Sequence, residues 1–282
     1  WNSGTDSENS ISTPYISEVR INIYNDPNDE IGAFQSGSVD AVYIESLDYS
    51  KYNARSDIKI DEFCGRNFDF LAFNLSRPVS GDKKVRQAIA YAVDRNTIVR
   101  EILYNRGRIS DLPLNPDSWL YPVDSFTYTY DPEQAVKILE EDGWTKPDGA
   151  WTKKIEGRTR QLEFELLVNS ENSFRVAVAE RIAQNLEDIG IKVNLVKSDW
   201  NGIMEKIRKD EFDILIAGYR TSSVPDVFFM YSSYGPSPLY GLMNPQEINI
   251  AGYSSADAEN LMQKIVNEDD YKIRRYLFGK FA

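Results

Sequence analysis

The 282 residues contain no histidine and a single cysteine, Cys64. These two shortages together remove internal disulfides, zinc sites of the ordinary kind, Cys-His nucleophiles and Ser-His-Asp triads. A lone cysteine leaves the redox compartment open, because a reduced cytosolic protein and a disulfide-free exported one look alike by this measure. No run of eighteen apolar residues occurs, so the sequence encodes no helical membrane span. No charged-then-apolar leader opens the chain, and its start at Trp1 reads as a segment taken from something longer. Positive charge is also scarce. Lys plus Arg total 32 against 44 Asp plus Glu, a formal net charge of −12. Such a surface repels phosphate backbones, and no nucleic-acid partner is expected.

What remains is an ordered globular composition, with 41% hydrophobic and 27% charged residues, 17 Tyr and 13 Phe. The length suits two lobes, or one large lobe and part of another. Val19, Ile21 and Ile23 alternate as a half-buried strand, and Asp29 opens a short helix closed near Gly37. Residues 41–44, 58–63 and 68–75 read as further strands, the last apolar on both faces. Val85, Ala88, Ile89, Ala92 and Val93 have helical spacing, and Asp94 caps a second helix carrying Ile98, Val99, Ile102 and Leu103. Residues 110–128 form a long loop without periodicity. Asp131, Pro132 and Gln134 open another helix that Gly143 ends. Leu162 to Val168, then Phe174 to Ile189, then Ile191 to Leu195 give strand, helix, strand. Asp199 caps a helix through Ile207, and residues 212–217 form a continuously apolar central strand. Residues 219–243 read as loop, and two helical stripes follow. Helices on a sheet of this kind define an α/β lobe.

Seven segments in order resemble the peptide- and nickel-binding family of extracytoplasmic solute-binding proteins of ABC importers. They are Asp26 to Asp40, Phe70 to Asn74 (FLAFN), Val85 to Asp94 (VRQAIAYAVD), Tyr130 to Trp144, Leu186 to Val193, Phe212 to Tyr219 (FDILIAGY) and Gly252 to Ser255. The resemblance implies a periplasmic-binding-protein-like type II α/β fold, with mixed-sheet lobes and flanking helices joined by crossing strands. It implies that residues 1–73 belong to a β-rich first lobe, 74–217 form the second, and 218–282 return toward the first. Export with a signal or as a lipoprotein, an extracytoplasmic monomer, a permease partner and a captured peptide, sugar or chelate are the implied biology. Such proteins bind between closing lobes and make no bonds, so no enzyme activity, cofactor or resident metal is expected.

On this reading the pocket wall comes from Phe73 and Asn74 at the first crossing and from Tyr219, Arg220, Thr221 and Ser222 at the second. Trp119 and Tyr121, with Asn115, on the long loop and Asn169 and Ser170 after a strand end complete the set. Each has a bland alternative: Phe73 as core, Asn74 as a backbone clamp, Tyr219 as packing, Trp119 and Tyr121 as staples of their loop. Arg86 and Asp94 read as structural. Asp26, Asp29 and Glu30 mimic a calcium loop, but Ile31 stands where the turn glycine belongs. One departure bears on the ligand. Peptide-binding members place an aspartate three residues after the pocket tryptophan, to meet the peptide ammonium. Here Tyr219 and Ser222 hold those two places, so a free-amine peptide is disfavoured unless Asp226 swings in. The absence of histidine disfavours directly ligated nickel. The rival readings are a two-carboxylate glycoside hydrolase, drawing on Glu140 with Glu141 or Asp269 with Asp270, and a sensor domain of the same fold.

Overall fold

The computed structural model describes residues 16–24, 26–43, 52–61, 65–122, 126–220, 228–232 and 249–281. By its internal contacts the chain separates into Trp1–Ile58 and Lys59–Ala282.

In the first unit, helix α1 spans Pro27–Gln35, with proline in its first turn. Its cap is Asp26, whose carboxylate accepts from the Asn28 amide at 2.8 Å. The start therefore lies three residues before the expected Asp29, which sits in the first turn and favours the helix dipole. Gly37 ends it at φ 73°, a left-handed conformation that needs no Cβ. Residues 16–24 are coil, and Val19, Ile21 and Ile23 are 73%, 85% and 91% exposed. The alternation there marks a strand, but a strand forms only against a partner, and none of the described residues pairs with it. Residues 41–43 and 58–61 are likewise coil, whereas Ile44, Glu62 and Phe63 lie outside the described residues.

The second unit is built on a four-stranded sheet in the order β1-β6-β4-β5. Its strands are β1 (Asn67–Phe73), β4 (Glu163–Asn169), β5 (Lys192–Ser198) and β6 (Ile214–Arg220). The last three run parallel, and β1 lies antiparallel along β6 with Phe68 opposite Tyr219 and Phe73 opposite Ile214. Helix α4 (Ser173–Asp188) joins β4 to β5, and α5 (Trp200–Arg208) joins β5 to β6. Strict alternation assigns the two faces. Phe164, Leu166, Val168, Ile214 and Ile216 pack with Ala179, Ile182 and Leu186 of α4. Leu167, Leu215 and Ala217 pack with Ile203 and Ile207 of α5. The sheet is thus covered on both sides, as the apolar run at 212–217 predicts.

Helices α2 (Lys83–Ala92) and α3 (Pro132–Glu141) thicken the α4 side, burying Val85, Ala88, Ile89, Ala135 and Leu139 in the same cluster. Their caps match the expectation for α3, where the Asp131 carboxylate accepts from the Gln134 amide at 2.9 Å. After α2, Asp94 caps a single helical turn (Arg95–Thr97), which widens into a π-helical stretch at Ile98–Ile102 where a regular helix is expected. Glu101 of that stretch pairs with Arg181 of α4 at 2.8 Å. A hairpin of β2 (Thr152–Ile155) and β3 (Arg158–Gln161) has no counterpart among the expected elements. It turns on Glu156 and Gly157, both at positive φ, which a Glu-Gly pair signals more faintly than Asn-Gly. Helices α6 (Ala256–Asn267) and α7 (Tyr271–Phe281) bury Met262, Ile265 and Phe278 against Leu112, Leu114 and Leu120 of the long loop.

Candidate functional site

Strand order reverses at β4, with β5 on one side and β6 on the other, and the helices leaving β4 and β5 take opposite faces. The loops therefore part above the carboxyl ends of the strands. Open α/β sheets bind ligands in the crevice this creates. Four expected site residues meet along this edge: Asn169 closes β4, Ser170 follows it with its amide on the Ser198 carbonyl at 2.8 Å, and Tyr219 and Arg220 end β6. Thr221 and Ser222 lie outside the described residues.

The two faces of the edge differ in chemistry. On the α5 face Phe68, Phe70 and Tyr219 stack in a row, with centroids 5.5 and 5.4 Å apart. Burial pushes the Tyr219 phenol up from its ordinary value, so it stays protonated at neutral pH and keeps its donor. On the α4 face the Arg175 Nε donates to Asp69 Oδ1 at 2.9 Å, with Nη2 at 2.7 Å from the same oxygen. This pair lies directly over Gly218, where an added Cβ would stand 2.1 Å from both Arg175 Nη2 and Asp69 Oδ1. Gly218 thus lets a charged pair rest on the strand. Arg220 shares that face by register and is exposed.

Phe73 and Asn74 fall at the other end of β1, five residues and about 17 Å along the strands from Tyr219. Phe73 packs against the α4-side core. Asn74 is 2% exposed and fully engaged. Its Nδ2 donates to Asp210 Oδ1 at 2.7 Å and to the Phe212 carbonyl at 3.0 Å, and its Oδ1 accepts from the Ser76 amide at 3.0 Å. The long loop is a third location. Tyr121 accepts from the Asp111 amide at 3.3 Å and lines a separate pocket, and Trp119, 46% exposed, sits edge-on to Tyr271 at 6.4 Å. Asn115 turns its own loop, accepting the Asp117 amide at 2.9 Å. The expected set is therefore dispersed over three places, of which the strand-end crevice holds four described members.

The profile of bacterial extracellular solute-binding proteins, family 5 Middle, matches residues 9–241. The chain belongs to this family. Its sequence is 26% identical over 263 residues to the oligopeptide-binding protein AppA of Bacillus subtilis, covering 92% of this chain and 47% of AppA. The structure of that AppA in complex with a nonapeptide superposes with a TM-score of 0.75 at 26% identity, over 92% of this chain and 50% of AppA. NikZ from Campylobacter jejuni in complex with Ni(L-His) gives 0.76 at 26% identity, over 91% and 50%. The fold is periplasmic-binding-protein-like type II, and the chain spans about half the length of the curated relatives it matches.

For a family 5 protein the crevice contains features that sequence reading passed over. Asp69 and Arg175 carry no local signal of their pairing, because it spans 106 residues, and Phe68 reads only as a strand residue until Tyr219 completes its stack. The available signal was a charge inside an aromatic strand, Phe68-Asp69-Phe70, and a glycine breaking the apolar run of β6. Among the described residues no group of three His, Cys, Asp or Glu side chains is placed to hold a metal, and no helix is long and apolar enough to cross a membrane. The acidic pairs of the hydrolase reading are exposed: Glu141 lies 3.9 Å from Lys137 on α3, and Asp270 caps α7, accepting the Lys272 amide at 2.8 Å.

Proposed function

We propose that this family 5 protein is the solute-capturing component of an ABC importer, working as an extracytoplasmic monomer that delivers a peptide or similar small solute to a membrane permease. The reading rests on family membership together with one observation, the carboxyl edge of β4, β5 and β6 with an aromatic stack on one face and the Arg175–Asp69 ion pair on the other. Aromatic walls with a few placed polar groups are what small-solute sites require. The solute would bridge this edge and the facing lobe, with β1 and β6 as the crossing strands, residues 1–73 and 218–282 serving the first lobe and 74–217 the second. Ligand contacts made only in the closed state shift the equilibrium toward closure, so binding needs no catalytic group. No cofactor, resident metal, nucleic acid or reaction enters this scheme.

Tyr219, Arg220, Asn169 and Ser170 are the residues proposed to face the solute, with Thr221 and Ser222 continuing the wall. Phe73 and Asn74 are assigned to holding the sheet, given the packing of Phe73 on the core and the burial and hydrogen bonds of Asn74. At the crevice Asp69 is already matched by Arg175, whereas Arg220 is exposed. Solutes presenting an anionic or blocked end are therefore favoured over free-amine peptides, whose ammonium would need a counter-ion. The test is a thermal-shift and calorimetric titration of the full-length protein with N-acetylated peptides, ordinary tripeptides, sugars and metal chelates. Saturable binding with the solute recovered unchanged supports the proposal. Turnover of a glycan would replace it with the hydrolase reading, and strong stabilisation by ordinary tripeptides would refute the assignment at Ser222.

A further inference from the structure

Away from the strand ends, a concavity of about 600 Å³ opens between residues 93–96, the loop 109–122, the segment 127–130 and α7, and it shares no residue with the crevice described above. Its size lies within the range of small-molecule sites. We propose that it is a second binding site, for a small hydroxylated carboxylate of the sugar-acid class.

The charge pattern on its walls carries this. Arg95 is spent on the protein itself: Nη1 lies 2.6 Å from Asp111 Oδ1, and Nη2 donates to the Tyr128 carbonyl. Asp117, beside the wall residues Pro116 and Ser118, is matched by Arg108 at 2.6 Å. Asp131, next to wall residue Tyr130, caps α3. Arg275 on α7 is different. Its one hydrogen bond among the described residues runs from Nη2 to the Tyr121 carbonyl at 3.2 Å, and no carboxylate of the described residues pairs with it. A guanidinium held by a single neutral acceptor, in a chain of net charge −12, offers its remaining N–H groups to a planar anion, and a carboxylate matches that fork in two parallel hydrogen bonds. A peptide ammonium would be repelled.

The rest of the lining describes the body of the ligand. Tyr121, Tyr128 and Tyr130 provide ring surface, and Tyr128 is held edge-on by Tyr91 at 5.1 Å, which fixes that wall. Ser118, Thr127 and Thr129 contribute hydroxyls that both donate and accept. Flat carbon faces beside hydroxyls match a polyol, which has C–H faces to lay on the rings and hydroxyls to exchange hydrogen bonds, better than an aliphatic acid, which has only the first.

Isothermal titration of the protein with glucuronate, glucose and sulfate tests the proposal, alongside R275Q, R275K and T129V. Expected are saturable glucuronate binding, at least tenfold weaker binding of glucose and of sulfate, at least tenfold loss in R275Q, and an intermediate loss in R275K, which keeps the charge without the fork. Arg275 is exposed, so R275Q should retain the wild-type circular dichroism and melting; if it does not, a severalfold loss in T129V, at another residue of the lining, carries the test. Absence of saturable glucuronate binding, equal affinity for glucose, or unchanged affinity in R275Q and T129V overturns the site. Equal affinity for sulfate overturns the sugar-acid assignment. A peptide that binds the full-length protein should leave glucuronate affinity unchanged, and competition between them would overturn the separateness of the two sites.

Discussion

Asn74 ties the end of β1 to the segment entering β6, making four side-chain hydrogen bonds, two given to Asp210 and Phe212 and two taken from Ser76. Truncating it leaves the buried Phe212 carbonyl without its side-chain donor and frees the half-exposed Ser76 turn, so Asn74→Ala should lose about 2 kcal/mol in urea unfolding. Asp94 acts through ionisation. Burial pushes its carboxyl up, but the hydrogen bonds from the Thr97 hydroxyl and amide and the charge of Arg100 outweigh this and leave it below the ordinary carboxylate value. A lowered pKa in the folded state means the cap stabilises fully above about pH 4 and fades as pH falls through the folded value. Asp94→Ala should therefore cost about 1 kcal/mol at pH 7 and progressively less toward pH 2, which paired pH melts would measure. Gly218→Ala separates a site role from a fold role. The atoms a methyl would meet are the ends of two flexible side chains, so melting should change by under about 1 kcal/mol. Solute affinity should fall about tenfold, or about 1.4 kcal/mol, if the Asp69–Arg175 pair shapes the crevice; unchanged affinity would remove that pair from the site.

Among the elements, those with their own sequence-local cause were readable: α3 from Asp131, Pro132 and Gly143, and α5 from Asp199 with its amphipathic stripe. Elements that depend on a partner were not. Val19, Ile21 and Ile23 have the alternation of a strand and are coil, because hydrogen bonding to a neighbour, rather than propensity, makes a strand. The β2–β3 hairpin formed with a turn pair of weak signal. The docking of α6 and α7 on the long loop belongs to the same class, since Leu112, Leu114 and Leu120 have no regular spacing to announce a buried face. Phe278 is fully buried in that contact, so Phe278→Ala should cost about 3–5 kcal/mol. Hydrogen exchange should then accelerate in residues 110–122 and in α6 and α7 while β4 and β6 stay protected; uniform acceleration across the sheet would show that this cluster is not a separate cooperative patch.

At the scale of the whole molecule, the contacts divide the chain after Ile58, so Lys59–Ala282 should fold alone. Expressed by itself it should melt cooperatively, within a few degrees of the same transition in the 282-residue chain; a non-cooperative melt would show that the first unit completes its core. The sequence by itself determined the family, the α/β class, the caps at Asp94, Asp131 and Asp199, and the exclusion of histidine- and disulfide-based chemistry, because each follows from residue identity or from spacing within one element. It also placed Asn169 and Ser170 at one strand end and Tyr219 and Arg220 in the loop just after another, whereas β6 runs on through Arg220. Tertiary structure alone decided that these four share one edge while Phe73 and Asn74 occupy the other, because β1 runs antiparallel to β6 and strand direction is a property of the assembled sheet. It likewise brought Arg175 onto Asp69 over Gly218, and Arg275 into the lining of a separate pocket. Contacts between residues far apart in the chain are fixed by topology and packing, which no local pattern of side chains encodes.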